Sequence, residues 1–158
     1  MSDRMSTLDV SKIPAHLWSY LAGLIDGDGC FFMWKLENKR TKGSSKFTYR
    51  MNLNIWCINE PFIQWLYDVF GGVKMINRKA TAIRRRPLYG VEFTGNRLTQ
   101  ILEHIVPYIQ LKKPNAENML EMRRTYNGVG GRIDVPLDVQ ETRERCYQLC
   151  RQLNTHKP

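Results

Sequence analysis

Apolar residues first recur with a helical period. Leu17, Trp18, Leu21, Leu24 and Ile25 fall three and four residues apart, on one face of a helix. The pattern predicts a helix over 14–25, with Pro14 in its first turn and Ser11 as an upstream cap. Asp26-Gly27-Asp28-Gly29 follows, and its two glycines are expected to stop the helix. From Phe31 the period shortens to two. An aromatic-rich strand is predicted to about Lys39, then a polar, basic turn to Lys46. Over 47–57 the alternation is clearest: Met51, Leu53, Ile55 and Cys57 on one face, Arg50, Asn52, Asn54 and Trp56 on the other.

The second half repeats the order. A helix is predicted over 61–70, closed by Gly71-Gly72. A basic hairpin follows, with strands at 73–79 and 88–94, and Val91 and Phe93 toward the core. A helix over 96–109 carries the stripe Leu98, Ile101, Leu102, Ile105, with Pro107 ending or bending it. Further helices are expected over 116–126 and 137–153, separated by a flexible Gly128–Gly131 loop. This α-ββ-α-ββ-α order is an α+β class pattern: an antiparallel sheet with helices packed on one face. A single domain is expected over 1–158, with its core at about 14–126 and a helical tail at about 132–158.

Composition then narrows the function. The chain of 158 residues has 24 Lys plus Arg against 15 Asp plus Glu, a net charge of +9. Residues 1–30, 31–97 and 98–158 carry −2, +9 and +2. So much positive charge on the two-hairpin segment points to a polyanionic partner rather than to solubility alone. Four cysteines without a CxxC pair, and three scattered histidines, argue against a disulfide scaffold and a zinc site. No apolar run approaches the roughly 18–20 residues of a membrane span, and the polar N-terminus carries no secretory signal. An intracellular protein without a membrane partner is expected.

The segment Leu21-Ala22-Gly23-Leu24-Ile25-Asp26-Gly27-Asp28-Gly29 combines two features. Its small residues allow another backbone to approach closely. Its two carboxylates lie at a helix C-terminus, where they oppose the macrodipole. A bound divalent cation would offset that cost, and carboxylate and carbonyl oxygens suit Mg²⁺; solvated carboxylates at a helix stop would look the same. LAGLIDGDG at 21–29 resembles the signature of the LAGLIDADG homing endonucleases, with Gly27 where Ala is commoner. The predicted element order resembles that family's core over about 14–126.

The resemblance implies several roles. Asp28, the last acid of the motif, and the carbonyl of Gly27 would bind a divalent metal, Mg²⁺ with Mn²⁺ able to substitute. Leu21, Ala22, Gly23, Ile25 and Asp26 would lie at a two-fold helix interface, Asp26 in a more structural role. One motif per chain resembles the homodimeric, intron-encoded branch. Lys112, in the connector after the third core helix, would lie near the scissile phosphate. Asn59, just past the second strand, would position the catalytic water. Such an enzyme cuts double-stranded DNA at a long, near-palindromic site. A maturase binding intron RNA, or a regulator that binds DNA without cutting, are rival readings on the same fold.

The outer face of the sheet would meet DNA. Arg50, Asn52 and Asn54 on the second strand, and Lys74, Asn77 and Arg78 on the third, would face base edges. Arg84, Arg85 and Arg86 would hold phosphates or bases, and Lys39, Arg40, Lys42 and Lys46 the backbone. Alternation puts Trp34 and Trp56 on this face as well, although aromatics are more often core.

Overall fold

The computed structural model of the protein describes residues 9–38, 46–79, 81, 83, 85–126 and 135–155. After a short 3-10 turn, Val10–Lys12, the chain forms α1 (Ala15–Asp28), β1 (Gly29–Glu37), β2 (Phe47–Cys57) and α2 (Glu60–Phe70). Then come β3 (Val73–Asn77), β4 (Leu88–Thr94), α3 (Gly95–Ile105), α4 (Lys113–Arg124) and α5 (Leu137–Thr155). The four strands form an antiparallel sheet in the order β1-β2-β4-β3. Each hairpin is local in sequence, and the β2–β4 pairing joins the two.

One face of the sheet is covered by the helices. Phe31 and Met33 of β1, Met51, Leu53 and Ile55 of β2, and Val91 and Phe93 of β4 all point into the core. There they meet Leu21 and Ile25 of α1, Ile63 and Leu66 of α2, and the expected stripe of α3. α5 closes the far side over β1: Asn154 donates to the Phe31 carbonyl at 2.8 Å, and Cys146 and Cys150 are buried. The opposite face is bare.

Several boundaries differ from expectation. α1 runs through Gly27 to Asp28 rather than stopping at Ile25. Gly27 has no positive φ and merely costs the helix about 1 kcal/mol relative to Ala. The helix ends at Gly29, whose backbone is extended. A Cβ there would lie 2.8 Å from the backbone of Ile25, so the strand can leave this tightly only from glycine. Ser11 does not cap α1; it sits in the 3-10 turn, capped by Asp9, and Pro14 is the N-cap of α1. α3 begins at Gly95 and is finished before Pro107. The expected basic turn residues Lys39, Arg40 and Lys42, with Arg84 and the Gly128–Gly131 loop, lie outside the described residues.

Candidate active centre and nucleic-acid interface

The end of α1 is clamped by a connector more than 80 residues away. Asp26 accepts from two backbone amides, Gln110 N on Oδ2 and Lys112 N on Oδ1, each at 2.8 Å. Burial works against the charged carboxylate. The amides of Gln110, Lys112 and Leu111, together with the charge of Lys112, outweigh that cost and hold Asp26 below the usual aspartate range. The Lys112 side chain then crosses the helix end, donating to the carbonyls of Ile25 at 3.0 Å and Gly29 at 2.8 Å. The Ile25 carbonyl already accepts from the Gly29 amide and takes Lys112 as a second donor on its other lone pair; a cation at this helix end favours the macrodipole. The cost of two acids at this terminus is therefore partly met by Lys112.

This clamp separates the roles of the two acids. Asp26 is committed to the connector. Asp28, the last helical residue, is exposed. Asp28 and the Gly27 carbonyl form a hard-oxygen donor set that suits Mg²⁺ or Ca²⁺. No group of three His, Cys, Asp or Glu residues that could hold a metal occurs among the described residues.

The helix face presented outward is not the whole of the expected one. Leu21, Ala22 and Ile25 are 0–1% exposed and pack into this chain's own core, so they are corrected from a partner interface to core positions. The outward face carries His16, Ser19, Tyr20, Gly23 and Gly27, all exposed. A Cβ on Gly23 or Gly27 would meet nothing within 4 Å. These two glycines, one turn apart, leave room for a second backbone.

Asn59 is the N-cap of α2. Its Oδ1 accepts from Phe62 N at 2.9 Å, which commits that oxygen to the helix end.

The bare sheet face holds Trp34, exposed and stacked on Phe32 with ring centroids 6.0 Å apart. Arg50 lies opposite Trp34 in the ladder and is exposed. Trp56 also belongs to this face and lies over Gly90, where a Cβ would come within 2.7 Å of the indole. Asn52 and Asn54 face the same way but are 1% and 8% exposed. Neighbouring side chains wall them in, and Asn52 Nδ2 donates to Glu92 Oε2. As free base readers these two asparagines are corrected.

Lys74 is corrected as well. It pairs with the core residue Val91 and so points to the helix side, donating to Gln64 Oε1 at 2.5 Å and lying over the Tyr67 ring. Asn77 takes the outer-face parity and accepts from the Lys79 amide. Arg78, just past β3, is exposed, and its charge acts on Tyr89 of β4. Lys46 is exposed and pairs with Glu37 at 3.3 Å. Arg85 and Arg86, in the connection between β3 and β4, are exposed.

Two features lacked a sequence expectation. Glu92 and Arg123 line a groove of about 390 Å³ at the end of the sheet where β2 meets β4, together with Trp34, Arg50, Asn52 and Thr94 of the bare face. Glu92 was legible in principle, as the polar residue between core-facing Val91 and Phe93. On the other side, Glu144 of α5 accepts from Lys35 Nζ at 2.6 Å and the Tyr49 hydroxyl at 2.5 Å. Those bonds, Lys35 first, pull the Glu144 carboxyl down to about 2. No periodicity could join two residues 109 positions apart.

A family model described as LAGLIDADG endonuclease matches residues 21–122. No curated protein sequence matches. Among solved structures, the chain is similar to the homing endonuclease I-CvuI, solved in complex with the I-CreI target in the presence of 2 mM Mg with the DNA not cleaved. Identity is 18%, coverage 90% of this chain and 85% of that chain, and the TM-score 0.69. It is also similar to the archaeal intron-encoded homing endonuclease I-Vdi141I complexed with DNA, at 13% identity, 90% and 87% coverage and a TM-score of 0.70. The DNA-bound I-GzeII shares 14% identity and a TM-score of 0.61 over 82% of this chain but 43% of that one. These likenesses establish a common fold, the one expected from the order of helices and strands.

Proposed function

The chain belongs to the LAGLIDADG endonuclease family, and on that premise we propose that it is a homing endonuclease acting as a homodimer. It cuts both strands of a long, near-palindromic DNA site with the help of a divalent cation. The observation that carries this reading is the clamp at the end of α1. It ties Lys112 across the end of α1, whose last residue is the exposed Asp28, on a helix with an outward Gly23–Gly27 face.

The division of labour follows from that geometry. Gly23 and Gly27 allow the α1 helices of two copies to approach, which places two Asp28 carboxylates near the symmetry axis. Asp28 and the Gly27 carbonyl would hold Mg²⁺, with Mn²⁺ able to substitute; the bound ion would stabilise charge on the attacking and leaving oxygens. Lys112, held by Asp26 and the carbonyls of Ile25 and Gly29, presents its ammonium near the phosphate that accumulates charge. The bare sheet face lies along the duplex. β2 has eleven residues, about 36 Å at roughly 3.3 Å per residue, or about ten base pairs per subunit. Two-fold symmetry then requires a site whose halves mirror each other.

The test is incubation of wild type and Asp28→Asn with a randomised duplex library and Mg²⁺, followed by recovery of cut ends and of bound duplexes. Wild type is expected to yield double-strand ends at one site class. The variant is expected to bind that site and leave it intact. Binding without cutting by wild type, or undiminished cutting by the variant, overturns the reading.

A further inference from the structure

The centre of the bare face holds an acid where a polyanion is to lie. Glu92 sits on β4 opposite Asn54 and beside Val73 of β3. It points away from the core, since its neighbours Val91 and Phe93 are fully buried beneath the sheet. The carboxylate is held in place: Asn52, 1% exposed, donates through Nδ2 to Oε2. The Asn54 amide lies 3.1 Å from the same oxygen and becomes a second donor when its nitrogen is turned toward it. Both contacts are to one oxygen. The groove that Glu92 lines is flanked by Arg50 and Arg123, and the Asn52 Oδ1 at its floor is buried without a partner among the described residues.

A carboxylate here would repel phosphates, so its place on this face calls for a hydrogen-bond donor on the DNA. In the major groove only two bases present one, cytosine N4 and adenine N6. Adenine N6 is flanked by acceptors on both sides, its own N7 and thymine O4. Cytosine N4 has an acceptor on one side only and C–H on the other. A carboxylate, which can only accept, is therefore repelled less beside cytosine.

Resting on the endonuclease reading above, we propose that Glu92 is a specificity-determining residue that selects cytosine at one position of each half-site. Asn52 and Asn54 are positioning residues: they fix the carboxylate rather than read bases. Arg50, exposed on the same face, holds a neighbouring phosphate while the acid reads its base; Arg123, whose Nε donates to Thr99 Oγ1 of α3 at 2.9 Å, walls the end of the groove.

The experiment is selection by binding from a randomised duplex pool, using the full chain as wild type, Glu92→Gln and Glu92→Asp, with melting temperatures checking that each variant is folded. Wild type is expected to select cytosine at one symmetric pair of positions. Gln both donates and accepts, as adenine N6/N7 requires. Glu92→Gln should therefore turn that pair toward adenine, with a loss of cytosine preference of roughly 5- to 140-fold, and leave other positions unchanged. Glu92→Asp, which keeps the charge, should retain cytosine there with weaker binding. An unchanged Glu92→Gln profile, or a loss of selectivity spread over many positions, overturns the proposal while leaving the endonuclease reading intact. A wild type that selects no duplex overturns both.

Discussion

Replacing Asp26 by Asn tests the clamp at the end of α1. The carboxylate offers an oxygen to each of two backbone amides, Gln110 N and Lys112 N. Asn retains one oxygen and turns an NH₂ group toward the other amide, so one bond is lost and a donor faces a donor. A hydrogen bond to a charged acceptor contributes roughly 1.5–3 kcal/mol. Partial exposure screens this one, and about 1–2 kcal/mol is expected. For a chain of this length that lowers Tm by about 2–8 °C at pH 7.

The pH dependence fixes the cause. Asp26 is held below its ordinary range in the folded state, so its contribution is present above the unfolded value of about 3.9. It is lost as pH falls through the lower folded value. The gap in Tm between wild type and Asp26→Asn should therefore be full at pH 7 and shrink in acid. Because the same connector aims Lys112, single-turnover cleavage should slow by up to about 10²-fold, while DNA affinity changes little. Thermal melts followed by circular dichroism at pH 7 and pH 3, with cleavage time courses, make the measurement. An unchanged Tm at pH 7, or a deficit that persists undiminished in acid, would refute the reasoning.

Three more outcomes are expected. Gly90→Ala pushes a methyl group to within 2.7 Å of the Trp56 indole, and should cost about 1–3 kcal/mol in urea unfolding with a shift in tryptophan fluorescence; an unaltered midpoint contradicts the packing. Glu144→Gln frees Lys35 and Tyr49. Wild-type stability owed to Glu144 is present above about pH 4.3 and lost toward its folded value of about 2. The variant should start about 1 kcal/mol lower at neutral pH and lose less across that window, as denaturant titrations at a series of pH values will show. Gly23→Leu fills the open space on α1; sedimentation should give a dimer for wild type and a monomer for the variant, and a dimeric variant removes the helix face from the interface.

Local pattern carried most of the fold. Alternation over 47–57 and the stripe of α3 depend on neighbours within a few residues, and both appear as read. The errors lie where a distant contact decides. Leu21, Ala22 and Ile25 are small or apolar residues on a signature helix, and nothing in their spacing separates a partner's surface from the chain's own core. Asn52 and Asn54 take the outer parity correctly, yet their burial depends on Glu92 and Thr94, forty residues on. Lys74 was misplaced because β3, five residues long and almost wholly exposed, has no apolar side to set its phase; its pairing with β4 sets it. The family resemblance singles out Asp28 and Lys112, but nothing in the sequence shows the clamp that seats the connector on the end of α1 through Asp26.

The closure of α5 over β1 also shapes how the chain is made. Phe31 and Asn154 are 123 residues apart, and ribosomes add roughly 5–20 residues per second. Phe31 and Met33 are therefore synthesised about 6–25 s before their last cover. During that interval the first hairpin exposes an apolar face beside an unpaired strand edge, a combination prone to aggregation. Nascent chains of this protein should accordingly rely on chaperones until α5 emerges, and stalling before Leu137 should leave them sticky rather than merely incomplete.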